Sequence, residues 1–152
     1  MNRLTLCFIR NIIIGLLIST FTLPILAKTI ETPGGPPQTT TEVILKTTKS
    51  WDNVPYKNYP IGNPELIVMT YHIPAHSALP WHKHFVPNAA YVASGILTVE
   101  EKDGSKKVFT KGQVVPEMVG PIHRGVTGNE PVELVVFYAS SDQSKITEKV
   151  DN

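Results

Sequence analysis

His82-Lys83-His84 is the first point along this chain where residue type and spacing promise chemistry. In an extended strand, residues two apart project from the same face. Two imidazoles would then stand side by side, near enough to share a divalent metal at about 2.1 Å from each nitrogen. Lys83 would turn the other way, to solvent. The chain carries five histidines: His72, His76, His82, His84 and His123. His72 shares a strand face with Val68 and Thr70, at a cavity mouth or, as for most lone strand histidines, on a polar surface. His76 lies in I-P-A-H-S-A-L-P, a loop open to solvent. Histidine pairs also occur on surfaces with no metal, so the pair takes its meaning from the elements that hold it.

Those elements read as β throughout. Glu65–Ile73 alternates Ile67, Met69, Tyr71 and Ile73 against Val68, Thr70 and His72, the two-residue period of a strand. Glu42–Thr48 is rich in β-branched residues and is predicted as a strand, and 53–64 as a loop. Ala90–Ala93 and Ile96–Glu101 flank Ser94-Gly95, predicted as a tight turn, and Asp103-Gly104 signals a hairpin into Lys107–Thr110. Gln113–Glu117, Ile122–Thr127 and Val132–Ala139 complete the set, and Ser141–Val150 reads as a polar tail. Short strands with frequent turns, in a sequence with 13 prolines and 10 glycines, imply a closed or sandwiched all-β architecture.

The spacing around the pair extends further. After His84 come three residues and Asn88, then six residues and Gly95. Gly112 is followed by five residues and Met118, one residue and Gly120, two residues and His123, and three more and Thr127. This resembles the two cupin motifs, with Ile96–Lys111 as the short spacer of microbial cupins; P-W-H-K-H-F-V-P-N-A-A-Y-V is similar to small bacterial exported cupins. The resemblance covers roughly Glu65 to Tyr138 and implies a single jelly-roll barrel, the double-stranded β-helix, over 42–140. It also implies one divalent metal ion (Fe, Mn, Zn or Ni) held by His82, His84 and His123. The sequence departs from the pattern at four positions. Asn88 stands where cupins supply a glutamate ligand, so it is expected as a weak ligand or as the partner of a metal-bound water. Met118 replaces a proline, Thr127 an asparagine, and His76 an upstream glycine. Glu117, in the apolar run V-V-P-E-M-V, either faces the lumen as a base or replacement ligand or faces out and is solvated; strand parity across Pro116 does not decide. Trp81 and Tyr91 are expected as core or rim packing.

Composition excludes some functions. Net charge is +1 at 152 residues, and no stretch concentrates Lys or Arg as a nucleic-acid surface requires. Arg3 and Arg10, an apolar run from Ile12 to Leu26 and Ala27 before Lys28 form the layout of a secretory signal peptide over 1–27, with a Pro/Gly linker at 28–41. The expected destination is the periplasm or the exterior, with contact to the membrane only through that peptide. Cleavage would also remove Cys7, the only cysteine, and leave a domain held by its core without disulfides. Two function classes follow. One is a metalloenzyme acting on a small molecule, since three neutral ligands leave coordination positions open; the cupin resemblance implies oxidoreductase chemistry of dioxygenase type. The other is a non-catalytic protein that binds metal or a small ligand. Either is compatible with a homodimer.

Overall fold

The computed structural model describes residues 38–151. The signal-peptide reading and most of the linker lie outside the described residues. Within Thr41–Asn152, nine strands form two antiparallel sheets. Their bounds are β1 Pro64–Ile73, β2 His82–His84, β3 Asn88–Ser94, β4 Ile96–Glu101, β5 Lys106–Thr110, β6 Val114–Pro116, β7 His123–Thr127, β8 Val132–Ser141 and β9 Thr147–Lys149. One sheet has the order β1-β8-β3-β6 and the other β5-β4-β7-β2-β9. Apart from the β4–β5 hairpin, successive strands trade sheets, so the chain winds as the expected jelly roll.

Side-chain alternation builds the core. β8 buries Val132, Leu134, Val136 and Tyr138 and turns Glu133, Val135 and Phe137 outward. β3 answers with Ala90 and Val92, β4 with Leu97 and Val99, and β6 with Val115. Each of the valine and leucine side chains contributes about 1.5–3 kcal/mol by leaving water. Met118, at the position of a motif proline, is completely buried and fills the same interior.

Three expectations are corrected. Glu42–Thr48 forms no strand: the segment is extended and exposed, because its β propensity finds no ladder within the protein. Ordered contact with the sheets begins where the Trp51 side chain is buried and its backbone N–H donates to the Pro116 carbonyl at 2.9 Å. Ser94-Gly95 is no hairpin turn, since β3 and β4 belong to different sheets. Gly95 instead carries the crossing at φ +79°, where an added Cβ would sit 2.3 Å from the Pro131 carbonyl oxygen. The segment read as a tail contributes β9, which pairs His82 with Lys149, Lys83 with Glu148 and His84 with Thr147.

The motif departures also find their reasons. His76 sits at φ +53°, the left-handed conformation that a glycine would adopt without strain. The Thr127 hydroxyl donates to the Pro74 carbonyl at 2.6 Å and accepts from the Ser77 N–H at 2.9 Å, fastening the loop that leads into β2.

Candidate metal centre

β2 is only three residues long, yet both neighbours hold it: β7 pairs His82 with His123, and β9 pairs along its other edge. The strand puts His82 and His84 on one face and Lys83 on the other, where Lys83 reaches Glu148 at 3.1 Å. The cross-strand pairing brings His123 against both. The ring centroids form a near-equilateral triangle, with separations of 4.9, 4.6 and 5.0 Å. Among the described residues these three are a set whose ligand nitrogens all lie within 4.8 Å of one another. They are positioned to bind a metal.

The outer nitrogens decide which atoms face inward. Nδ1 of His82 lies 2.8 Å from the Pro80 carbonyl, and Nδ1 of His123 lies 3.0 Å from the Pro121 carbonyl. A carbonyl only accepts, so each Nδ1 carries the hydrogen and donates it. Both contacts come from the same local pattern, Pro-x-His, with the proline carbonyl two residues back. His84 Nδ1 meets the Thr147 hydroxyl of β9 at 2.9 Å. The carbonyl contacts leave Nε2 of His82 and His123 as the free lone pair, and all three contacts hold the ring planes, the second contact that metal-binding histidines ordinarily possess. His123 Nε2 is buried with no hydrogen-bond partner, an orphaned atom that a metal ion would satisfy.

Glu117 faces the lumen. Its backbone is pinned from both sides, with its N–H donating to the Asn88 carbonyl at 3.1 Å and its carbonyl accepting from the Tyr56 hydroxyl at 2.7 Å. Its side chain is buried, and Oε2 comes 3.3 Å from His123 Nε2 without the alignment of a hydrogen bond, so that oxygen too is left unpartnered. Burial alone would raise the carboxyl pKa, but His123, His84 and His82 beside it outweigh that and hold it below the usual carboxylate range. Burial lowers His82, against the pull of the Pro80 carbonyl, and pushes His84 down to about 4. His123 moves the other way: burial lowers it, and Glu117 more than reverses this. Burial thus favours neutral His82 and His84, while Glu117 and His123 favour each other's charged forms; three imidazole nitrogens suit a divalent first-row transition ion.

Asn88 is buried and donates from Nδ2 to the Val86 carbonyl at 3.0 Å, while Oδ1 has no hydrogen-bond partner. It lines a cleft together with Tyr59, Pro87 and Phe137 rather than the cavity lined by His82 and His84. That central cavity holds about 130 Å³, with Tyr71, Leu79, Leu134, Val136 and Tyr138 as walls, Glu117 inside and Lys149 at the rim. Burial keeps the Tyr138 hydroxyl protonated far past neutral pH. His72 and His76 are exposed and stand apart from the cluster; His72 pairs with Glu133 at 3.2 Å. Trp81 packs beneath the Arg124 guanidinium at 4.3 Å, whereas Tyr91 turns outward. Thr147 is the site residue that sequence reasoning missed, because nothing in a polar C-terminal segment marks it as a strand. The Pro-x-His pattern at 80–82 and 121–123 was a readable signal for the two carbonyl contacts.

No family model and no curated protein matches the chain by sequence. Solved structures match it in shape. A protein with a double-stranded β-helix domain from Klebsiella pneumoniae is 18% identical and covers 64% of this chain and 90% of its own, at a TM-score of 0.50. A cupin-like protein from Thermotoga maritima, 15% identical, covers 57% of this chain and 65% of its own, also at 0.50. DMSP lyase DddQ from Ruegeria pomeroyi, 18% identical over 56% of this chain, has a TM-score of 0.49, and this chain spans 43% of that lyase's length. The chain has the double-stranded β-helix fold of the cupins.

Proposed function

We propose that this protein binds one divalent metal ion through Nε2 of His82, His84 and His123 and acts on a small molecule admitted to the adjoining cavity. The reaction class is a dioxygenase-like oxidation. The observation that carries this reading is the convergence of three fixed imidazoles beside a buried, anionic Glu117 in a cavity with free volume. A protein that merely stored metal needs no such space.

The residues divide the work. Nδ1 contacts from Pro80, Pro121 and Thr147 keep the three rings aimed at one point. When bound, the ion supplies Lewis acidity and, if iron or manganese, electrons for oxygen chemistry. Glu117 remains deprotonated and takes a proton from a substrate hydroxyl or thiol brought within reach of Oε2. The apolar walls from Leu79, Leu134 and Val136 exclude water, which strengthens the pull of that carboxylate. A volume of about 130 Å³ is well below the ~300–1,000 Å³ of sites for drug-sized ligands, so the substrate is small or enters only in part.

The test is oxygen uptake by protein loaded with Fe(II) or Mn(II), challenged with small thiols, enols and α-hydroxy acids. Uptake that Glu117→Gln abolishes while metal content stays near one per chain supports the enzyme. Metal held tightly with no turnover on any of these would favour the non-catalytic binding protein.

A further inference from the structure

The cavity beside the histidines is lined by one charged side chain that the chemistry above does not use. Apart from the histidines and Glu117 its lining is apolar or neutral, and Lys149 is the one lysine or arginine in it. β9 places it there. Thr147 and Lys149 are two apart and share a strand face. Thr147 meets His84 from that face, while Glu148 turns the other way to Lys83 and Lys145. Lys149 pairs directly across from His82, where opposed Cβ atoms lie about 4.5–5.5 Å apart. Its flexible stem carries the ammonium past the imidazole to the rim, and the residue is exposed.

The surrounding charges leave this ammonium for a ligand. Lys83 and Lys145 hold Glu148 at 3.1 and 2.6 Å, and Arg124 holds Glu100 at 2.6 Å. Among the described residues no ion pair includes Lys149. It also lines an outer cleft with Trp81, Arg124 and Asp151, so it stands where the cavity meets the outside. Inside, Leu79, Leu134 and Val136 strip water from whatever enters, and an anion buried there without a partner is costly. The Glu117 carboxylate repels a second negative group. A molecule with one anionic end and one neutral polar end therefore enters in a single sense, anion outward. One ammonium balances one negative charge, which fits a carboxylate better than a phosphate near two charges.

We infer that Lys149 determines specificity and that the substrate is a small hydroxy or thiol carboxylic acid. Its carboxylate rests on the Lys149 ammonium at the rim, and its hydroxyl or thiol points inward, toward Glu117 and the three histidines. This rests on the metal-dependent reading above and narrows its substrate class. Lys149 binds and orients the molecule and exchanges no proton with it. The cavity of about 130 Å³ restricts the carbon skeleton to a short one. The ion pair is charge-assisted but partly in water, so its worth is about tenfold in affinity.

The experiment is titration calorimetry on the Zn(II)-loaded full chain, since zinc permits binding without redox turnover. Lactate and 3-hydroxypropionate are each compared with the corresponding amide, which has the same size and no charge. Wild-type protein should bind the better of the two acids about tenfold more tightly than its amide. Lys149→Met should lose that preference while leaving amide affinity, circular dichroism and metal content unchanged, and Lys149→Arg should keep most of it. Lys149→Gln repeats the test should the methionine variant fail to fold. Lys83→Met removes the same charge from the outward face of β2 and should alter neither affinity. Acid and amide binding alike in wild type, no binding of either acid, or a preference that survives Lys149→Met would overturn the inference. Metal content near one per chain in those samples would leave the metal reading standing. A chain that takes up no metal would overturn both.

Discussion

Thr147→Val removes one oxygen from β9 and leaves the shape of the side chain nearly intact. Its hydroxyl sits 2.9 Å from His84 Nδ1, on a histidine that is only 4% exposed, so no bulk water replaces it. The buried Nδ1, left without its hydroxyl partner, should destabilise the metal-free protein by about 1–3 kcal/mol. The larger consequence is for metal affinity. Losing the contact that holds a ligand's ring plane lowers affinity about 10–100-fold, or roughly 1.4–2.8 kcal/mol. Thr147→Ser keeps the hydroxyl and should recover most of the loss. Competition of each variant against a chromophoric chelator gives the affinity directly, and urea unfolding of the stripped proteins gives the stability. A Thr147→Val protein with wild-type affinity would refute the reasoning, since it would mean that β9 merely covers β2 and does not orient His84.

Three further outcomes are expected. In metal-free protein, His84 folds with its pKa near 4 against an ordinary 6.5, so the unfolded chain binds more protons between those values. Stability is therefore complete above pH 6.5 and falls by about 3 kcal/mol on acidification through pH 4; urea midpoints across that window should show the decline, and His84→Gln should flatten it. Gly95→Ala forces a Cβ to within 2.3 Å of the Pro131 carbonyl at φ +79° and should lower stability by about 2–4 kcal/mol in thermal melts, while Gly104→Ala, with open space around it, should lower it by about 1 kcal/mol. His76→Gly relieves the left-handed strain at φ +53° and should leave stability unchanged or raised by up to about 1 kcal/mol, whereas His76→Val should lower it.

The His82–His84 pair was legible because its geometry is local, and His123 because the spacing around it resembles the second cupin motif. Two residues apart on a strand is one face whatever the sheet does, and the spacing through Gly120 to His123 carried the third member. Glu117 was not decided by parity, because β6 ends at Pro116 and the next residue is aimed by the Asn88 carbonyl and the Tyr56 hydroxyl, both distant in sequence. The same limit explains the misread ends. Glu42–Thr48 has the composition of a strand but no partner within the chain, and Thr147–Lys149 has the composition of a tail but an open β2 edge to pair with. Strand formation depends on a neighbour as much as on propensity. Ser94-Gly95 carries turn chemistry correctly, but the turn leads from one sheet to the other, a choice made by the packing of the two sheets. His76, Thr127 and Met118 departed from the motif, and they are accommodated by a left-handed backbone, by hydroxyl contacts to the 74–77 loop and by burial in the core.

The central claim is a metal ion held by three histidines, and elemental analysis of protein isolated from its own compartment tests it most directly, run beside His123→Ala and His72→Ala. About one equivalent of a single transition metal should accompany wild type and His72→Ala, and His123→Ala should lose nearly all of it, because two ligands from one short strand do not retain the ion. Wild-type protein free of metal, or His123→Ala retaining its full complement, would contradict the account.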